Sequence, residues 1–360
     1  WPAASGTMSA AGEPAGPGAQ RGAAWAKSKS EERPEEAAKR RVILVTYVVA
    51  SLDLILLFMQ LGVLPYLAKS LGLDSVGFGY LQTTFGVLQL VGGPIFGRFA
   101  DQFGARVALI LSCVSTSAFF LLLSISTSIP LLFLSRLPSV FMHGMPGAQK
   151  VITDLTAPSE RAGALGKLGL CFGIGIIVGS ALGGVLSTRF GIFVPMYVGL
   201  VGSLISTVIV MVGIPSPASR KSEHPMTEHS NVFSLHEILR LMKFPGVMEV
   251  FLVKVLAGFP IGLFLVMFSI ISMDFFGLEA VQAGYLMSYF GVLQMVSEVG
   301  APLLPCCFLI CVSLPLLQMA LMRNVLHYCI VAVPLTFAFS TLATITDSIL
   351  TKAVPASDTG

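Results

Sequence analysis

Charge is what this 360-residue chain has least of: Asp, Glu, Lys and Arg make up 11% of it, against about 25% in a soluble domain. That scarcity excludes a water-soluble globule, whose surface could not be covered with polar groups. A net charge of +3 gives no basic face for nucleic acid, so no nucleic-acid partner is expected. Histidine is sparse, and the six cysteines (Cys113, Cys171, Cys306, Cys307, Cys311, Cys329) sit in apolar segments with neither CxxC spacing nor flanking His. They read as inert buried thiols, and no metal or other cofactor is expected. A phosphate-cradling loop and a catalytic triad are also missing, which argues against an enzyme and against ATP-driven chemistry. Residues 1–41 lack the apolar core of a signal peptide. Rich in Ala, Gly, Pro, Ser and Glu, they are expected to form a disordered tail that ends in the basic Lys39-Arg40-Arg41.

What the chain has in abundance is apolar residues: 54% of the total, with a mean hydropathy of +0.84. They come in blocks of roughly twenty, the length a helix needs to cross about 30 Å of hydrocarbon. The expectation is an all-α, polytopic membrane protein lying in a lipid bilayer. Spanning segments are predicted at about 42–66, 78–96, 106–126, 130–150, 164–186 and 193–214. After a polar stretch they resume at 247–273, 283–300, 303–322 and 325–350. Lys and Arg concentrate in the tail, in the turns near Arg98 and Lys150, and in the polar stretch 215–246. The positive-inside rule therefore puts the amino terminus and that stretch in the cytoplasm. Within the stretch, Ser234 and Glu237 have capping-box spacing, followed by apolar residues at helical intervals, which predicts a short amphipathic surface helix.

A repeat organises these segments. Gly72, Leu73, Val76, Gly79, Tyr80, Leu81, Phe85, Gly86, Val87, Leu88, Gln89 and Val91 all recur 205 positions on, in the stretch that begins at Gly277. Applied to the whole chain, that offset divides it into a tail (1–41), a six-helix bundle (42–214), a linker (215–246) and a second bundle (247–360). A second bundle matching the first would need about two more helices than the sequence holds, so it reads as truncated, with about ten spanning helices present. The offset also predicts a second charged turn near 302–314, where the chain has PLLPCCFLICVSL with neither Asp nor Arg.

Three sets of residues stand out as chemistry. In the turn Gly97-Arg-Phe-Ala-Asp-Gln-Phe-Gly-Ala-Arg106, Gly97 and Gly104 favour tight packing, and Asp101 is placed to pair with Arg98 or Arg106. In the fifth segment, Gly175, Gly179 and Gly183 lie four apart on one helical face, where small residues let another helix approach closely. The third set is polar groups inside apolar helices. Asp53 lies mid-way along the first segment, where a carboxylate costs about 2.5–3.5 kcal/mol and demands a partner or a wet cavity. Gln60 shares its face, Lys254 sits on the repeat-equivalent helix, and Gln89 with its repeat partner Gln294 are natural cavity-lining groups. His143 follows Arg136 by seven residues on one face of the fourth segment.

Two parallel six-helix repeats flanking a cytoplasmic linker resemble the major facilitator fold. The strings FGYLQTTFGVLQL, GRFADQFGAR, SRLPSVFMH, VITDLTAPSERAGALGKLGLCFG, FLVKV and VMFSIISMDFF resemble, more closely, the organic cation transporter-like branch of solute carrier family 22. The resemblance implies a multidrug-antiporter-like carrier exchanging organic cations for protons; the plasma membrane is the expected location, with an intracellular membrane as the alternative. It implies a gating role for Gly97, Asp101, Gly104 and Arg106, and a link to proton coupling for Arg136. Gly166, Gly175, Gly179, Gly183 and Gly184 match the antiporter glycine pattern of the fifth helix, except that Ser180 replaces its proline. Cation and proton coupling would then fall to Asp53, Gln60, Gln89, Arg136, His143, Lys254 and Gln294. An alternative keeps the carrier fold without transport, as a membrane scaffold binding cytoplasmic protein partners through the tail or linker. The absence of that proline, with Gln102 and Ala105 at usually polar or basic positions, points that way.

Overall fold

A computed structural model describes residues 17–215, 248–249, 252, 255–256, 262, 266–268, 270–300 and 322–338. Lys254, the linker helix expected after Ser234, and 302–314 lie outside the described residues. Seven helices form the first half: α1 (Pro17–Ser70), α2 (Ser75–Phe103), α3 (Ala105–Ser124), α4 (Ile129–Leu134), α5 (Gly144–Leu155), α6 (Pro158–Phe190) and α7 (Val194–Gly213). From the second half come a π-helical turn (Ile271–Phe275), α8 (Ala280–Gly300) and α9 (Val325–Ala338). Among the described residues there is no strand. α1 begins at Pro17, well inside the stretch expected to be a disordered tail. Ala, Glu, Lys and Arg dominate residues 19–41, and these are good helix formers.

The helices are apolar on the outside as well as in the core, and small and hydroxyl residues are turned inward. On α7, Val201, Leu204, Ile205, Val208, Met211 and Val212 are exposed at helical intervals, while Gly199, Ser203, Ser206 and Thr207 face inward. Hydrocarbon outside explains the pattern, because small residues and hydroxyls then do the packing. Four helices are long and apolar enough to cross a membrane among the described residues: those including 36–70, 105–124, 163–190 and 194–213.

The fourth segment departs from the sequence expectation. One helix was predicted over 130–150. Instead α4 stops at Leu134, a 3-10 turn covers Leu137–Phe141, and α5 starts at Gly144. Pro138 and Pro146 explain the break, since each lacks an N–H and disfavours helical geometry in the residue before it. Gln89 Nε2 on α2 donates to the carbonyls of Ser139 (3.1 Å) and Met142 (3.0 Å) in the broken stretch. α2 comes so close that a Cβ on Gly92 would lie 1.9 Å from the Val140 carbonyl oxygen.

The repeat predicted from sequence is visible in the backbone. Gly72 and Gly277 both take positive φ, +86° and +63°, and each precedes an equivalent helix. α6 lies between α1 and α8 and joins the two halves.

Candidate functional site

A cavity of about 630 Å³ opens between the halves. Its walls come from α1 (Asp53, Gln60), α2 (Gln82, Phe85, Gln89), α3 (Thr116, Phe119, Phe120), the broken fourth segment (Arg136, Met142, His143, Met145) and α6 (Phe172). Gly262 and Val266 contribute from the second half. Five sequence-selected residues, Asp53, Gln60, Gln89, Arg136 and His143, therefore meet at one cavity although they are spread over 90 positions of chain. Gln294 is not among the lining residues. It is half-buried on α8, where its carbonyl accepts from the Ser297 hydroxyl.

The two charged side chains of the cavity are not bonded to each other. Asp53 Oδ2 is 3.9 Å from the Cys113 thiol, and Oδ1 is buried without a hydrogen-bond partner. Gly144 makes room for the carboxylate, since a Cβ there would sit 2.7 Å from Oδ2. Arg136 is 1% exposed and its guanidinium lies 5.0 Å from the centre of the Phe119 ring. Its Nε and Nη2 have no hydrogen-bond partner. His143 is engaged locally, with Nε2–H donating to the Val140 carbonyl at 3.1 Å and the ring tilted against Phe96. Gln82 and Thr116 also line the cavity and went unnoticed in the sequence, where a single amide or hydroxyl in a helix carries little signal.

Residues 46–360 match the model of the Major Facilitator Superfamily. The chain belongs to that family. It is 54% identical over 341 residues to solute carrier family 22 member 18 of Mus musculus, covering 89% of this chain and 84% of that one. It is 49% identical over 355 residues to solute carrier family 67 member A1 of Homo sapiens, covering 93% and 84%. Its fold is like that of the nucleoside transporter NupG, with a TM-score of 0.66 at 16% identity over 88% of this chain and 83% of that structure. This facilitator is a multi-pass membrane transporter with the fold expected from its repeat.

Within this facilitator, the turn between α2 and α3 is held by other partners than those expected. Asp101 pairs with Lys150 on α5, not with Arg98 or Arg106. Arg106 instead donates from Nη2 to the Met211 carbonyl on α7 at 2.8 Å. Lys150 of α5 and Met211 of α7 both reach this turn, which sequence spacing along α2 alone could not show. Gly104 caps α2 with φ +88°, whereas Gly97 has open space around it.

The opposite end carries a contact that sequence reading missed. Lys69 Nζ on α1 donates to Asp274 Oδ1 at 2.8 Å, and the Ser75 hydroxyl donates to Oδ2 at 2.7 Å. The Tyr66 hydroxyl donates to the Leu278 carbonyl at 2.9 Å. Asp274 lies just past the apolar stretch that ends at Met273, and the donors Lys69 and Ser75 hold its carboxyl below the usual carboxylate range. Lys69 and Asp274 are 205 positions apart. They are repeat equivalents of opposite charge, which the pseudo-symmetry brings face to face.

The α6 glycines divide into two contacts. Cβ atoms on Gly179 and Gly183 would lie 2.4 and 2.3 Å from the Ile55 and Met59 carbonyl oxygens of α1, and Gly175 abuts Leu54. On the other face, Gly184 abuts Ala280 of α8, and the Ser180 carbonyl is packed against Gly284. Gly166 has nothing near it. Ser180 is fully buried, and α6 runs unbroken through it. The stripe thus sets the position of the α1 turn that carries Asp53.

Proposed function

We propose that this transporter exchanges an organic cation for protons by alternating access, with Asp53 as the site both occupy in turn. The single observation that carries this reading is the Asp53 carboxylate, which lines the cavity with Oδ1 shielded from solvent and unpartnered. A carboxylate in that setting is costly unless a proton or a bound cation neutralises it. Either suffices and the two compete, so occupancy by one displaces the other. Aromatic walls from Phe58, Phe85, Phe119, Phe120 and Phe172 suit a flat, lipophilic cation.

Alternating access is supported by the contrast between the ends. The contacts of Lys69, Ser75 and Tyr66 cross between the halves, whereas those of Asp101 and Arg106 stay within the first. The Lys69 end is the closed one and faces away from the cytoplasm, an orientation that rests on the Lys and Arg distribution. The plasma membrane is the proposed location. In proteoliposomes containing the full chain, an imposed pH gradient is expected to drive ethidium accumulation, and Asp53→Asn is expected to abolish the dependence on the gradient. Full gradient-driven flux in Asp53→Asn would contradict the assignment.

A further inference from the structure

We infer that Arg136 is an anion-accepting subsite of the same cavity, and that the substrates it favours are zwitterionic aromatic amines carrying an acid group at the end remote from the amine. The inference rests on the reading of Asp53 as the cation site and extends it. Arg136 lines the cavity and is 1% exposed. An enclosed guanidinium needs both a counter-charge and acceptors for its N–H groups. One face is covered by the Phe119 ring at 5.0 Å, but Nε and Nη2 have no acceptor. Asp53 is the single carboxylate among the described lining residues, and it makes no ion pair with Arg136.

The two charges lie at different depths. Asp53 is reached by Cys113, and Arg136 stacks on Phe119, both on α3. Six residues of helix separate those contacts, roughly 9 Å at 1.5 Å per residue. The cavity wall as a whole is largely apolar and aromatic, with Phe85, Phe120 and Met142, and between the two levels α3 contributes Thr116. An occupant that leaves no charge uncompensated has an ammonium at the Asp53 level, an aromatic body, and a carboxylate taking the guanidinium N–H pair. Carboxylate recognition by the planar guanidinium fork is strong and directional.

Equilibrium binding to the purified full chain tests this with three probes: para-aminomethylbenzoate, benzylamine and benzoate. No gradient is involved, so failure here leaves proton exchange standing, and failure of gradient-driven ethidium uptake leaves the binding series intact. The doubly charged probe is expected to bind about tenfold more tightly than either control. In Arg136→Gln its affinity is expected to fall to that of benzylamine, with benzylamine itself unchanged. Arg136→Lys, which keeps the charge and loses the fork, is expected to fall between. Equal binding of para-aminomethylbenzoate and benzylamine to the unaltered chain would overturn the inference without any variant. Equal weakening of both by Arg136→Gln would overturn it too.

Discussion

The two ends of this transporter are pinned in different ways. At one end Asp101 and Lys150, with Arg106 on the Met211 carbonyl, tie α2, α3, α5 and α7 of a single half together. At the other, Lys69, Ser75 and Tyr66 reach across to Asp274 and Leu278 of the second half. Bonds of the first kind persist while one half rocks against the other, and bonds of the second kind have to break. The side chains of the crossing pair are 58% and 36% exposed, and such pairs are worth about 1 kcal/mol or less. A contact that weak suits a closure that must reopen in every cycle.

The largest expected effect comes from fixing each pair covalently. In a chain whose six cysteines are replaced by Ser, Lys69→Cys with Asp274→Cys, joined by a short bifunctional thiol reagent, is expected to stop flux completely. The same treatment of Asp101→Cys with Lys150→Cys is expected to leave most of it. Equal inhibition by both would erase the contrast between the ends.

Next in size is Gln89→Leu, which removes two hydrogen bonds from the broken fourth segment. A loss of roughly 1 kcal/mol for each hydrogen bond removed is expected as a lowered melting temperature of the purified protein. Because Gln89 acts within the first half, accessibility at the Lys69 end should stay unchanged in that variant.

A smaller effect is expected from charge reversal. Lys69→Asp sets like charges together and should increase labelling of a cysteine introduced at the cavity-lining Gln82 from the Lys69 side by a few-fold at most. Adding Asp274→Lys should restore the original labelling. If the double variant behaves no better than the single, the pair is not a closure.

The smallest is a pH effect on the same contact. Lys69 and Ser75 hold the Asp274 carboxyl below its ordinary range, so the contact is complete above that range and is lost as pH falls through the lowered value. Labelling from that side should therefore rise only in distinctly acidic buffer, and Asp274→Asn should remove the dependence.

Much of the site was legible in the sequence, because a charge or amide inside an apolar helix is costly and has few reasons to be there. Asp53, Gln60, Gln89, Arg136 and His143 were found this way and share one cavity. Partners were not legible. Asp101 was expected to pair within its own turn, yet Lys150 arrives from a helix 49 positions away. Periodicity reports which face of a helix is buried but not which neighbour covers it. Gln294 shows the limit of the repeat: equivalent position did not carry equivalent placement at the cavity. The Lys69–Asp274 pair was within reach of the 205-residue offset, but opposite charges do not register as similarity. The break at Pro138 and Pro146 was written in the chain, and high hydropathy across it concealed it.

Proton release on substrate binding tests the central claim most directly, because it reads competition at Asp53 without gradients or flux. When ethidium is added to the detergent-purified full chain in weakly buffered solution near neutral pH, binding is expected to release protons into the medium, and in Asp53→Asn to release none. Binding without proton release in the unaltered chain, or undiminished release in Asp53→Asn, would contradict it.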